Sequence, residues 1–430
     1  MQKAKRTLGK RTFLIFLTLT LLLTSIELFD FLTPLKTFAA EELNTKDFVV
    51  SIGGDESELM FTWYTDQPAG SVSIWKKEEP AGARGFAASN TLKSSSFYIH
   101  KATVTGLEPS TEYAYKLIGE NGDEAGPYSI KTGGVNNFSF VAVGDSQLAT
   151  SYVQGWMDTV KAAYGNFDVS FLISVGDQVD NLGGSIQEEF TAFFSPPELK
   201  NLPTAVTAGN HEYYTANGQS LHFEHFSFPN MTRFGSGASD FDYWFRYGNA
   251  LFMVLTGGGD GSAINLISLH KSFLESTVAA NQDAKWRFIL VHQSLYSEGP
   301  HSVHNTIGRN TWPSVIDSLD IDVVFSGHDH QYTRTHQMLG NVPQLDQQWL
   351  DSARQTVLDP TGTVYFTLNS SSGSKNYRIS PQASWWSAKR HSGGYDFSII
   401  DITDTTFSIK VYRAADMAVM DEYKILKSKK

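Results

Sequence analysis

From about residue 45 to residue 133, apolar and polar positions alternate with a period of two. The runs 48–52 (FVVSI) and 58–64 (ELMFTWY) have the pattern of half-buried strands. Turn-forming stretches, Gly53-Gly54-Asp55 and then 66–70 (DQPAG), close the first and the second run respectively. Residues 100–122 (HKATVTGLEPSTEYAYKLIGENG) repeat the scheme of strand, proline-containing turn and strand. Short strands at this density predict a small all-β sandwich of roughly a hundred residues, over 45–133. Residues 134–137 (GVNN) then read as a linker.

Beyond residue 137 the period changes to strand, loop, helix. The apolar run 138–143 is followed by Gly144-Asp145 and an amphipathic stretch over 152–164. The run 169–175 leads to Gly176-Asp177 and a helical pattern over 185–195. Three more runs end in the same manner: 204–208 at Gly209-Asn210-His211, 286–291 at His292, and 321–326 at Gly327-His328-Asp329-His330. The tail over 364–426 is again strand-rich, interrupted by a Ser-rich loop at 370–374. In α/β sheets, sites form beyond the carboxyl ends of the strands, so these five loops are expected to converge.

Those loops carry Asp145, Asp177, Asp180, Asn210, His211, His292, His328 and His330. Carboxylate, amide oxygen and imidazole together suit hard or borderline cations. Singly, each has a bland reading as a turn residue or a strand-face histidine. Their occurrence at five successive strand ends is what points to metal.

Composition narrows the class. Hydrophobic residues are 41% and charged residues 18%, which describes a globular chain with an ample core. The net charge of -11 argues against a nucleic-acid partner, since affinity for phosphate backbones comes from clustered Lys and Arg. There is no cysteine, which excludes disulfides, thiolate metal sites and cysteine nucleophiles.

Residues 1–40 differ from the rest. A basic head (Lys3, Lys5, Arg6, Lys10, Arg11) precedes the apolar run 13–23, and Thr37-Phe38-Ala39-Ala40 supplies small residues for cleavage. This is the layout of a secretory signal peptide, and it predicts a secreted or extracytoplasmic protein. The apolar core is shorter than the roughly twenty residues a spanning helix needs. The long stretch 23–35 after it keeps an uncleaved anchor open as the alternative, and with it the sole expected membrane contact, at the cell surface.

The five blocks resemble the calcineurin-like metallophosphoesterases, whose pattern is Asp-x-His, Gly-Asp-x-x-Asp, Gly-Asn-His-Glu, an isolated His after a strand, and Gly-His-x-His. Four of the five match in order, over roughly 138–415. The segment TGLEPSTEYAYKL together with Trp63 resembles a fibronectin type III domain, in the version that precedes the catalytic domain of purple acid phosphatases. SGHDHQYTRT (326–335) is similar to that branch too. The resemblance implies an all-β sandwich followed, over 138–430, by an α/β domain of the αββα four-layer type. It implies two metal ions, with Asp177 as bridge, Asp145 and His330 completing one site, and Asn210, His292 and His328 the other. The ions would be Fe, Zn, Mn, or Mg and Ca. The expected reaction is hydrolysis of a small phosphate monoester by a metal-bound hydroxide. A phosphodiesterase on the same site, or a surface-binding protein with a decayed metal domain, are the alternatives.

Two departures qualify this. Purple acid phosphatases have a metal-binding tyrosine where this chain has Asp180, so a tyrosinate–ferric site is not expected. By analogy with phosphoprotein phosphatases, the Asp180 carboxylate is instead expected to hydrogen-bond His211 and keep it protonated as general acid; capping of the following loop is the plainer alternative. Gln147 stands where many relatives have a metal-binding histidine, either as a weak ligand or as pocket lining. His301, nine residues past His292, resembles a phosphate-contacting histidine of the branch, although an exposed loop histidine is the plainer reading.

Overall fold

The alternating runs of the N-terminal region form two antiparallel sheets. Lys46–Ile52 pairs with Leu59–Thr65, which pairs with Phe97–Val104, which pairs with Ser89–Ser94. The second sheet runs Arg84–Ala87, Gly70–Lys76, Glu112–Gly119, Glu124–Lys131. The inward positions of both meet in a core of Phe48, Phe61, Trp63, Ile74, Tyr115 and Leu117. These are the apolar members of each alternation, as a period of two requires.

This computed structural model describes residues 42–428 apart from 95–96, 150, 236–240, 257–266 and 302–305. The segment read as a secretory signal lies outside the described residues. Among those described, no helix is long and apolar enough to cross a membrane.

The C-terminal region has two central sheets. In the first, Asn137–Val143, Phe171–Ser174 and Thr204–Val206 run parallel. Asp396–Thr403, Thr406–Arg413 and Val419–Leu426 extend it antiparallel. In the second, Ala250–Leu255, Trp286–Val291, Val323–Ser326 and Val364–Thr367 run parallel. The sheets face each other across a core rich in phenylalanine, including Phe140, Phe171, Phe252, Phe288, Phe325 and Phe366. Phe140 stacks on Phe171 at 4.9 Å and meets Phe252 edge-on at 5.4 Å, the two ring geometries that aromatic quadrupoles favour.

Helices Val153–Asn166 and Ile186–Phe193 cover the outer face of the first sheet through Trp156, Val160, Phe190 and Phe193. Ile267–Ala280 and Thr306–Ser318 cover the second through Leu274, Trp312 and Ile316. The result is a β-sandwich followed by an αββα four-layer domain. Three strands are shorter than the apolar runs that announced them: the runs 169–175 and 204–208 leave the first sheet at Ser174 and Val206 and turn toward the site, and the run 321–326 joins the second sheet only at Val323.

Backbone pairing and side-chain contacts join the regions. Ser51 pairs in parallel with Thr204, so the sandwich strands and the first central sheet form one sheet of twelve strands. Lys101, on the sandwich, donates to the carbonyls of Phe223 and Phe226 at 3.1 and 2.5 Å. These carbonyls lie at the end of helix Ala216–His225, where a cation complements the helix dipole. The residue just before the stretch read as a linker is tied down: Gly133 N donates to the Tyr247 hydroxyl at 2.6 Å.

Candidate metal centre

Parallel strands end on the same side, so the five loops meet. The residues that turn the chain there are backbone outliers. Asp145 (φ 29°), Gln147 (38°), Asp177 (50°), His328 (75°) and His330 (44°) all adopt left-handed conformations that non-glycine residues avoid. Five such residues in one place mark strain held for function. Two glycines make room. Gly176 has φ +98°, and a Cβ on it would lie 2.5 Å from His292 Nδ1; one on Gly327 would lie 2.4 Å from Asp145 Oδ2.

Asp177, His292 and His328 present ligand-type atoms within 4.8 Å of one another, and so do Asp145, Asp177 and His330. Asp177 belongs to both groups. In the first, His292 Nε2 lies 2.9 Å from Asn210 Oδ1, 3.2 Å from His328 Nδ1 and 3.3 Å from Asp177 Oδ2. Ligands about 2.0–2.1 Å from a tetrahedral cation stand about 3.3 Å apart, so a metal ion accounts for this crowding of nitrogen and oxygen. His292 Nδ1 donates to the Val175 carbonyl at 2.9 Å, which leaves Nε2 free to ligate. Asn210 Nδ2 donates to the Tyr214 hydroxyl at 2.8 Å, turning Oδ1 toward His292. In the second group, His330 Nε2 is 3.7 Å from Asp145 Oδ1, and its Nδ1 is buried with no hydrogen-bond partner among the described residues. The backbone N–H of His328 holds both oxygens of Asp145, at 2.8 and 3.0 Å. The donor set fits a cation in each group.

Burial and mutual charge shift every one of these titratable groups, and they favour the metal-binding form at Asp177, His328 and His330. Burial pushes Asp145 well above the ordinary carboxylate range, with His292 pulling the other way. Burial also opposes the charge on Asp177, but His292 and His211 outweigh it and hold Asp177 well below the usual range. Burial lowers His292 as well, yet the Asp177 charge and hydrogen bond prevail and raise it to about 10. His328 and His330 are pushed down to about 3, by burial first. Neutral imidazole is the metal-binding form.

His211 and Asp180 do adjoin, but not through the bond expected. His211 Nδ1 makes a short contact with the backbone carbonyl of Asp180, while the carboxylate oxygen lies 3.7 Å away, beyond hydrogen-bond distance. The carboxylate instead accepts from Gln147 Nε2 at 2.8 Å, and that amide also lies 2.8 Å from His211 Nε2. The Asp180 carbonyl thus lies nearer the ring than its carboxylate does. Asp180 lies outside both ligand groups. Gln147 tethers Asp180 and His211 through its nitrogen, and its Oε1 is buried without a partner among the described residues.

Three further residues had no role in the sequence reading. Glu212 accepts backbone N–H bonds from Asp177 (3.0 Å), Gln178 (2.7 Å), Val179 (3.1 Å) and Gly209 (2.6 Å), and so clamps two ligand loops together. Burial and then the Asp177 charge push Glu212 up to about 7, against those four donors. Its place in the Gly-Asn-His-Glu block was the available signal. Asp329, fully buried, accepts from His301 Nδ1 at 2.8 Å and from the His301 N–H at 3.0 Å. It thereby sets His301 against His328, with ring centroids 4.4 Å apart. Tyr377 lies 5.4 Å from His330 and 5.3 Å from His301; nothing local in the sequence announced it.

Comparisons with known proteins bear on both regions. Residues 138–332 match the family model described as calcineurin-like phosphoesterase, and residues 46–132 match the purple acid phosphatase N-terminal domain. The chain is similar to purple acid phosphatase 1 of Ipomoea batatas, 24% identical over 374 residues that cover 81% of this chain and 76% of that protein. It is 21% identical to Fe(3+)-Zn(2+) purple acid phosphatase 12 of Arabidopsis thaliana, with the same two coverages. Its fold is similar to the purple acid phosphatase from yellow lupin (Lupinus luteus) seeds, with TM-score 0.74, 19% identity, and coverage of 90% of this chain and 75% of that one.

Proposed function

We propose that this phosphate-ester hydrolase, whose residues 138–332 match a calcineurin-like phosphoesterase and 46–132 a purple acid phosphatase N-terminal domain, is an exported enzyme that hydrolyses phosphate monoesters at a dinuclear metal centre. Asp145, Asp177 and His330 hold one ion; Asp177, Asn210, His292 and His328 hold the other. The observation that carries this reading is the pair of ligand groups meeting at Asp177 within 4.8 Å. Bound there, the ions supply Lewis-acid charge to the phosphoryl oxygens and acidify water.

The protein's own groups do the rest. His301, fixed through Nδ1 by Asp329, presents its other nitrogen to the phosphoryl oxygens. His211, anchored through Nδ1 on the Asp180 carbonyl, has Nε2 facing the site, 3.8 Å from Asp177 Oδ2. Nε2 accepts from the Gln147 amide as the residues stand; protonated there and released from that amide, it would deliver a proton to the leaving oxygen. Elemental analysis of the purified chain, with a panel of aryl monoesters and diesters, tests the reading. Two metal equivalents and monoester turnover support it; diester preference transfers it to a phosphodiesterase; absence of bound metal and of hydrolysis across several divalent ions removes it.

His211→Ala is expected to lower kcat for an alkyl phosphate by about 10²–10⁴. For nitrophenyl phosphate, whose leaving group needs no proton, the loss is expected to stay below about ten-fold. A leaving-group series measures this, and a uniform loss removes His211 as the acid.

The iron-loaded protein is expected to be colourless, because position 180 carries a carboxylate in place of a phenol. Absorbance between 400 and 700 nm, about the range of phenolate-to-metal charge transfer, checks it. A band that disappears in Tyr377→Phe identifies that phenol as a ligand and overturns the expectation.

A further inference from the structure

The segment 370–377 (SSSGSKNY) is built directly onto the ligand loop that carries Asp145. Ser371 N donates to the Gly144 carbonyl at 3.0 Å, Ser370 Oγ donates to the Asp145 carbonyl at 3.0 Å, and Ser372 Oγ makes a short bond to the Ser146 carbonyl. The same two hydroxyls accept from Gly373 N and Ser374 N, each at 3.1 Å, which closes the turn. Thr159 Oγ1 clamps the Ser371 carbonyl from the helix behind, at 2.7 Å. Five serine and glycine positions thus fix the chain's direction as it leaves the turn, and the next residues extend over the rim of the ligand cluster.

Two side chains arrive there. Tyr377 stands edge-on to both His301 and His330. Lys375 Nζ lies 3.8 Å from Asp180 Oδ1, too far for a hydrogen bond, and that oxygen is already taken by Gln147. The ammonium makes no hydrogen bond with any described residue, although it has three donors and is one-third exposed. It lies on the His211–Asp180 side of the cluster, whereas His301 packs on His328. A partly exposed cation on an anchored turn, paired with Asp180 at 3.8 Å without a hydrogen bond, is placed to receive an anion.

We propose that Lys375 is a specificity-determining residue that receives a second anionic group of the substrate, a carboxylate or a further phosphate attached close to the scissile ester. The inference rests on the phosphoesterase reading above and adds the substrate class: compact phosphate esters carrying two anionic groups. Lys375 contributes a point charge from a turn fixed to the ligand loop, so its contribution depends on charge more than on shape.

The test compares the metal-loaded full chain with Lys375→Gln and Lys375→Arg on phenyl phosphate, phosphoglycolate and a vicinal diphosphate ester (the bisphosphate of propane-1,2-diol). Each kcat/KM is divided by that for phenyl phosphate, which has no second anion. Lys375→Gln is expected to lower this ratio by about ten-fold or more for at least one two-anion ester, the loss of a charge-assisted hydrogen bond. Lys375→Arg is expected to keep it within about three-fold. Loss confined to phosphoglycolate identifies a carboxylate; loss confined to the diphosphate identifies a phosphate. Unchanged ratios, or an equal fall for all three esters, overturn the proposal. Calorimetric binding of inorganic pyrophosphate against orthophosphate gives an arm that needs no turnover. If the wild-type chain hydrolyses nothing, the phosphoesterase reading fails, while a selective loss of pyrophosphate binding in Lys375→Gln still supports the anion site, and no selective loss overturns it.

Discussion

Asp177→Asn is expected to abolish turnover, lowering kcat by about a thousand-fold or more, because groups that act as one unit fail together when one is removed. Asp177 belongs to both ligand groups, so its loss weakens both ions at once, whereas any other ligand belongs to one. The substitution preserves shape. Asn keeps an oxygen that can accept the His211 N–H, which meets Asp177 Oδ1 at 3.0 Å. It removes the charge that raises His292. The measurement is metal stoichiometry beside kcat: a fall below two equivalents with an unchanged circular dichroism spectrum is the expected result. Two retained equivalents and normal turnover sink the bridging assignment.

Glu212→Gln is expected to be the most damaging change to stability in the site. Each carboxylate oxygen accepts from two backbone N–H groups: Oε1 from Gln178 and Val179, Oε2 from Asp177 and Gly209. An amide puts an NH2 against one of those pairs, leaving two buried donors facing a third. Unsatisfied buried donors cost about 1–3 kcal/mol each, so a loss of about 3–5 kcal/mol is expected. Thermal unfolding reads this as a Tm lower by about 5 °C or more. Metal affinity falls with it, since Glu212 holds the loop of Asp177 against Gly209, the cap of the helix that begins at Asn210. A Tm within about 1 °C of the wild type refutes the clamp, that being close to the scatter expected for a neutral surface change.

What the sequence made legible was periodic or local. Alternation marked the sandwich strands, and the apolar runs ending in Gly-Asp, Gly-Asn-His and Gly-His-x-His marked the strands of the central sheets. Those runs also named every residue of the two ligand groups, because a strand end fixes where its next few residues go. Roles that depend on distant chain were not legible. Glu212 acts on backbone N–H groups up to 35 positions away, and Ser370 on a carbonyl 225 positions away. Neither leaves a periodic trace. The Asp180–His211 relation was right as a neighbourhood and different in its atoms, because sequence names side chains and the bond comes from a main-chain carbonyl. The left-handed backbone at Asp145, Gln147, Asp177, His328 and His330 was hidden for a similar reason. Nothing about an aspartate or histidine in a sequence reports its φ.

The pairing of Ser51 with Thr204 has a consequence for how the two regions depend on one another. Thr204–Val206 is a three-residue strand that leads, through residues 207–209, to the short helix Asn210–Tyr213 carrying Asn210 and His211. Without the sandwich strand beside it, it would be an open edge, with main-chain donors and acceptors free to recruit another chain. The N-terminal region is therefore an edge guard: it keeps the last strand before two site residues from becoming a point of self-association.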